Sequence, residues 1–526
     1  MNEPSNDILR IDGHSLDLDK VARVARFGAT AELSPDAMTR VEASRAVVDR
    51  CVEDNLVRYG ITTGFGKFCD VVISKSENAT LQKNLIMSHA CGVGEPLPDE
   101  VTRAMALLRA NALAVGYSGI RPSTLRALVA MLNAGIAPIV PEKGSLGASG
   151  DLAPLSHLAL VLCGMGEANY RGRRMSGAEA LAAAGLVPVE LSAKEGLALI
   201  NGTQVMTAVG ALAAYDARAL VRTADLAAAM TAQALRGIVD AYDPRVHSLR
   251  GQPGQETAAA NLRALLEGSR FSTRQGELRV QDAYALRCVP QIHGASRDAV
   301  DYVTGVVERE LNAVTDNPLI FPDAGAADGL GDIISGGNFH GQPVALAMDF
   351  LGIALAELAS VSERRIERLV NPSLSNGLPA FLTRAGGLNS GFMITQYAAA
   401  ALVSENKVLA HPASVDSIPS SANQEDHVSM GTIAARKARS ILENARGVLA
   451  IELLAACQAV DLRAEELGAR PEELLAPATA AAYRVLRAAV PGLAEDRVMY
   501  TDIDAVRALL ADGAILKAAG AVTKIA

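Results

Sequence analysis

The chain has 526 residues, half of them hydrophobic, with only 4% aromatic residues, no tryptophan and a formal charge of −9. A chain this long can bury a large core, and its negative charge argues against nucleic acid or an anionic membrane as partner. Alanine dominates and β-branched residues rarely alternate with polar ones, so the expected fold is mostly α. The six cysteines (Cys51, Cys69, Cys91, Cys163, Cys288, Cys457) form no C-x-x-C pair, which predicts reduced thiols rather than a disulfide framework or a zinc knuckle. The first residues, Met1-Asn-Glu-Pro-Ser-Asn-Asp7, are polar and acidic where a signal peptide is basic and then apolar, and no uncharged apolar run reaches membrane length. These features predict a soluble, cytoplasmic protein.

Over the first 200 residues Gly and Pro recur at close intervals, as in Tyr59-Gly-Ile-Thr-Thr-Gly-Phe-Gly66 and Ala137-Pro-Ile-Val-Pro141, which predicts short helices joined by structured loops. The stretch ending in Lys67 is no phosphate loop. That motif needs a Gly five residues before its Gly-Lys and a Ser or Thr after it, and Ile61 and Phe68 stand there. The loop presents Tyr59, either as a reacting phenol or as a half-buried packing residue. Next, Ser88-His-Ala-Cys-Gly-Val-Gly94 puts His89 at the end of an apolar helix-like segment (Leu81, Leu85, Ile86), where an imidazole can face a cavity or simply complete the structure.

The segment Gly144-Ser-Leu-Gly-Ala-Ser-Gly-Asp-Leu-Ala-Pro-Leu-Ser-His157 carries the most chemistry. Gly147 and Gly150 tolerate backbone angles that a Cβ forbids, so peptide units here can approach closely. The Gly150 nitrogen can then attack the Ala148 carbonyl and close a five-membered ring. Loss of water there, and of the Ser149 hydroxyl, leaves a conjugated methylidene-imidazolone, an electrophile that no unmodified side chain supplies.

Beyond residue 200 the texture changes to long helices over about 205–237, 295–313, 344–371, 390–410 and 431–460, rich in Ala on several faces and thus suited to close packing in a bundle. The expected organisation is a smaller N-terminal helical and loop region, 1–200, carrying the reactive loop, and a long-helix bundle core over 201–526, together one catalytic unit. Ala324-Gly-Ala-Ala-Asp-Gly-Leu-Gly331 is the best candidate for a flexible insertion. Asn201 and Phe339 sit in Gly-flanked turns that fit either a ligand contact or plain turn structure. Gln281, Tyr284 and Arg287 are spaced three apart, so one helical turn places them on one face, where the Arg fork suits a carboxylate. Glu425, Asp426 and His427 cluster between helices, without a metal-binding spacing.

Together the loop at 144–157, Tyr59 to Gly66, Leu199-Ile-Asn-Gly202, Gln281 to Arg287, Thr315-Asp-Asn-Pro318, Gly336-Gly-Asn-Phe-His340 and Asn423-Gln-Glu425 resemble, in order and spacing, the histidine/phenylalanine ammonia-lyase family over nearly the whole chain. The resemblance implies a mostly helical homotetramer with each active site assembled from three subunits. It also implies a 4-methylidene-imidazol-5-one made autocatalytically from Ala148, Ser149 and Gly150, with no external cofactor and no metal. Ser88-His89 and Gln424-Glu425 look like the family's histidine branch, since phenylalanine-specific members usually carry Phe-Leu, and tyrosine-specific ones His-Leu, where Ser88-His89 stands. The implied reaction is elimination of ammonia from L-histidine to give trans-urocanate. His89 and Glu425 meet the imidazole, Arg287 anchors the carboxylate, and Asn201, Gln281, Tyr284 and Phe339 orient substrate and cofactor. Tyr59 acts as base, Glu425 being the other candidate, and an ionised Tyr59 calls for a cationic site. The competing readings are a phenylalanine or tyrosine ammonia-lyase or aminomutase and, more remotely, a non-catalytic helical scaffold.

Overall fold

The computed structural model describes residues 8–322 and 331–526, so the amino terminus and positions 324–330 of the expected insertion lie outside the described residues. The described chain is mostly helical, with four small sheets of two or three strands. It divides into two compact units, each discontinuous in sequence.

The first unit takes the chain up to Tyr215, Thr304–Asp349 and Pro412–Arg436. At its centre runs the helix Asp99–Ala114, buried at every position from Ala104 onward, as a helix apolar on all sides must be. Its three buried polar side chains are satisfied, Thr102 by donating to the Asp99 carbonyl (3.1 Å). Asn111 accepts from the Gly13 N–H (3.0 Å) and donates to the Leu311 carbonyl (3.0 Å), while the Arg109 guanidinium is spent on the Ala198 and Asn201 carbonyls and on Gln204. The helix Asn78–His89 buries Asn78, Gln82, Leu85 and Ile86 on one face, and it ends at His89. The chain then turns into the strand Val93–Pro96, which pairs antiparallel with Pro141–Lys143. That pairing brings His89 beside the start of the 144–151 loop, and the helix Leu152–Leu162 carries the chain away from it.

The second unit comprises Asp216–Val303, Phe350–His411 and Lys437–Ala526. The long helices that supply it are Gln204–Ala234 from Asp216 on, Val289–Leu311 up to Val303, Gln342–Val370 from Phe350 on, Met393–Leu409, and Gly431–Glu466 from Lys437 on. Alanines at 224, 227, 229, 445, 450, 455 and 459 are fully buried, and small side chains of this kind let helix backbones approach closely. Gln342–Val370 is long and apolar enough to cross a membrane by length and composition, but 67% of its most apolar window is buried inside the protein, which marks a core helix.

Buried charge in this unit is organised rather than avoided. Arg365 reaches both carboxylate oxygens of Glu452 (2.6 and 2.8 Å), and Thr231 and Ser362 donate to the same carboxylate. His293 Nε2 accepts from Arg365 (3.2 Å) and Nδ1 faces Asp225 (2.7 Å), which also receives Arg297 and Asn261. Burial pushes the His293 imidazole below its ordinary pKa, in keeping with a neutral ring that donates through one nitrogen and accepts through the other.

Candidate active site

The 144–151 loop is shaped by glycine. Gly147 and Gly150 have φ of +67° and +72°. A Cβ at Gly150 would collide with the backbone of Gly202, to which the loop is joined by a parallel bridge and by the Asp151 N–H to Gly202 carbonyl bond (2.7 Å). Asp151 is fully buried and accepts from Ser145 (2.8 Å), Thr432 and the N–H groups of Val205 (3.0 Å) and Met206 (2.8 Å) at the start of the Gln204–Ala234 helix. Its carboxyl is raised above the ordinary carboxylate pKa by burial, with these donors opposing. The tight turn, the two left-handed glycines and the Ser149 side chain between them fit the cyclised group that the sequence implies.

Ser149 lies where two cavities meet. The larger, about 1130 Å³, is lined by Tyr59, His89, Ala148, Ser149, Asn201, Phe339 and Glu425 among others. The smaller, about 230 Å³, is lined also by Cys91, Gly144 and Gly150 and shares His89, Ser149 and Glu425 with the first. Eight of the eleven site residues read from the sequence thus come together in the first unit.

Each is held in place by its own element. Tyr59 accepts weakly from the Gly66 N–H at 3.4 Å, closing the Gly-rich loop on its own phenol. Its pKa is raised, first by burial and then by Cys69 and Glu425, while the Gly66 N–H bond opposes the shift. His89 engages the Ser88 hydroxyl through Nδ1 (3.1 Å), and its Nε2 has no partner among the described residues. Glu425 is fixed by a two-way backbone pairing with Ser420 and accepts from the Ser420 hydroxyl (3.3 Å). Asn201 is buried. Its amide donates to the Asn317 carbonyl (3.1 Å) while its Oδ1 has no partner, an open acceptor at the cavity wall.

His89 titrates below 6.5 because burial disfavours its cation, and Glu425 opposes that shift. The expected result in an NMR titration of labelled histidines is a His89 midpoint under 6.5. In Glu425→Gln, with the stabilising carboxylate gone, the midpoint falls further. An upward move in that variant would contradict this electrostatic account.

Gln281, Tyr284 and Arg287 belong to the second unit and do not line the Ser149 cavity. Nor do they occupy one helical face, because only Tyr284–Arg287 is helical. Asp282 accepts from the Ile238 N–H (2.7 Å) and from Arg279 (2.6 Å), and these bonds hold the preceding stretch out of the helix. The three still cluster. Arg287 donates to Gln281 (2.6 Å) and lies over the Tyr284 ring, 4.9 Å from its centroid, with Nε buried and unpartnered.

Other residues support the site, and of these Arg109 and Lys194 carried no sequence signal of their own. Arg109 holds the Asn201 carbonyl (2.8 Å). Asp316 takes the buried Lys194 ammonium (2.8 Å) and the Asn317 N–H (2.7 Å), so the Thr315-Asp-Asn-Pro318 motif acts as the support beneath Asn201. His427, beside Glu425, stacks on His340 with ring centroids 5.9 Å apart.

The family model for aromatic amino acid lyases matches residues 16–488. Histidine ammonia-lyase of Alkaliphilus oremlandii is 63% identical over 97% of this chain and 98% of its own length, and that of Symbiobacterium thermophilum is 61% identical over 97% and 98%. Among solved structures, histidine ammonia-lyase from Trypanosoma cruzi superposes with a TM-score of 0.89 at 46% identity, covering 98% of this chain and 95% of that one. Tyrosine aminomutase from Streptomyces globisporus superposes with a TM-score of 0.92 at 40% identity, covering 98% and 99%. With the match extending from residue 16 to 488, and relatives of 61–63% identity over nearly the whole chain, the chain belongs to the aromatic amino acid lyase family.

Proposed function

We propose that this protein eliminates ammonia from L-histidine to give trans-urocanate, the first step of histidine degradation. The observation that carries the reading is the placement of His89 and Glu425 on either cavity that reaches Ser149. An imidazole presents N–H groups to a carboxylate, whereas a phenyl ring would leave that carboxylate desolvated and unpaired, at a cost of roughly several kcal/mol. The histidine ammonia-lyases at 61–63% identity support the same choice over phenylalanine or tyrosine chemistry.

The methylidene-imidazolone formed from Ala148, Ser149 and Gly150 supplies an electrophile that activates the amino group for departure. The remaining tasks fall to side chains of the chain itself. His89, kept neutral by burial, and Glu425 bind the substrate imidazole, and the open Oδ1 of Asn201 accepts from a substrate N–H. Phe339 bounds the cavity. Tyr59 takes the β-proton. Because burial raises its pKa, a cation has to approach before it can do so.

Arg287 is that cation and also the anchor for the substrate carboxylate, with Gln281 and Tyr284 orienting it, and we assign their place in the site to another copy of the chain within a homotetramer. The unpartnered Nε of Arg287 is an open donor that fits this assignment. Six free thiols support a cytoplasmic location, where cysteines stay reduced.

The purified protein incubated separately with L-histidine, L-phenylalanine and L-tyrosine should raise the ultraviolet absorption of a conjugated acrylate with histidine alone. A rise with phenylalanine or tyrosine and none with histidine would favour the other branches of the family, and a β-amino acid product would favour an aminomutase.

A further inference from the structure

Residues 428–432 run alongside the reactive loop and touch it almost residue by residue. Val428 and Met430 pack against Ala148. The Met430 N–H donates to the Leu146 carbonyl (2.9 Å), the buried Ser429 hydroxyl donates to the Gly147 carbonyl (3.0 Å), and the Thr432 hydroxyl donates to Asp151. From the loop's own side, the Ser145 hydroxyl takes the Gly147 N–H (3.2 Å) and donates to Asp151 (2.8 Å). The peptide units just before and just after Ala148-Ser149-Gly150 are therefore pinned. Among the described residues no hydrogen bond engages the N–H of Gly150 itself.

Two further features show that the contact is forced rather than incidental. Met430 sits at a φ of +54°, in the left-handed region that side chains other than Gly and Asn avoid, and such strain persists only where surroundings over-determine it. A Cβ on Gly147 would land on the Ser429 oxygen, so the hydroxyl lies directly against the loop backbone.

We propose that Ser429 and Thr432 are positioning residues for maturation of the 148–150 tripeptide, an inference that rests on the cyclisation described above. In that step the Gly150 nitrogen forms a bond to the Ala148 carbonyl carbon, whose oxygen leaves as water with the amide protons of Gly150 and Ser149. The Ser149 hydroxyl then leaves as a second water with its Cα proton. No oxidant or other reactant is needed. The attack requires the nitrogen to be free of competing hydrogen bonds and the carbonyl to be held close to it. An error of about 1 Å in such an arrangement costs on the order of a hundredfold in rate. Ser429 fixes the peptide that leads into Ala148, and Thr432 fixes the Asp151 side chain at the other end.

The test is intact mass of the full-length protein, read with its circular dichroism spectrum. Wild type should lie two water masses below the encoded chain. Ser429→Ala and Thr432→Val should each dehydrate about tenfold more slowly after induction, and the double variant about a hundredfold, leaving most of the folded double variant at the encoded mass. Thr432→Ser, which keeps the hydroxyl, should regain the two-water deficit. Full dehydration of Ser429→Ala and Thr432→Val at the wild-type rate would overturn the proposal. If the double variant does not fold, the comparison of Thr432→Val with Thr432→Ser decides, equal rates counting against the role. A wild-type protein at the encoded mass would instead overturn the cyclisation itself.

Discussion

Ser149→Ala keeps its fold and loses turnover of histidine by more than about a thousandfold, because it removes the hydroxyl whose departure creates the electrophile and no other group in the cavity replaces it. Stability should be nearly untouched. Position 149 is only half-buried and its side chain holds no structural hydrogen bond among the described residues, so a change within about 0.5 kcal/mol is expected by thermal unfolding. The intact mass separates causes, since this variant should lack the two-water deficit. Substantial residual turnover would remove the electrophile from the mechanism.

The same variant tests the shared site. Arg287→Ala should lose about 1.5–3 kcal/mol of substrate anchoring by losing a charge-assisted fork to the carboxylate. If Ser149 and Arg287 serve one site from different copies, an equal mixture of the two variants assembled together contains sites that draw both intact residues from different chains. Random mixing makes about a quarter of the sites complete in a symmetric oligomer. Activity of the mixed assembly should exceed that of either parent severalfold. A mixture no more active than the mean of its parents would place both residues in a site built by one chain.

Much of the helical frame was legible because apolar spacing and the Pro or Gly that bounds it are local signals. The expected helix at 344–371 is Gln342–Val370, and 390–410 is Met393–Leu409. Boundaries moved where local rules permit it. The helix expected from 295 begins at Val289, since Pro290 falls in a first turn whose N–H groups need no partner. The helix expected to end at 460 runs to Glu466 through Asp461-Leu-Arg-Ala-Glu-Glu, whose charged residues mask its good helix formers. The glycine-shaped turn at Gly147 to Gly150 was equally readable, because it needs only neighbouring residues and the freedom of glycine. Its supports were not. Ser429 meets Gly147 across 282 positions, and Arg109 reaches the Asn201 carbonyl across 92, distances over which no periodicity or spacing carries information. Gln281 shows the reverse failure. A spacing of three reads as a helical face, but Asp282 is tied to the Ile238 N–H, 44 positions away, and the helix begins only at Tyr284.

Glu452→Ala should destabilise the second unit by about 3–5 kcal/mol, because it strands the Arg365 guanidinium where no water reaches it. Both partners are fully buried, and the carboxylate also receives the Thr231 and Ser362 hydroxyls, so removal orphans several donors at once. The melting temperature should fall by on the order of 5 °C or more. The loss would belong to the stranded charge more than to the missing attraction, and a second substitution distinguishes these. Arg365→Met combined with Glu452→Leu replaces the pair by apolar side chains of similar volume, and should recover most of the stability lost in Glu452→Ala. Recovery will be incomplete, because His293 then loses the donor to Nε2 while Nδ1 stays on Asp225. A double variant less stable than Glu452→Ala would show that the attraction itself, rather than the cost of an unpaired buried cation, holds these helices together.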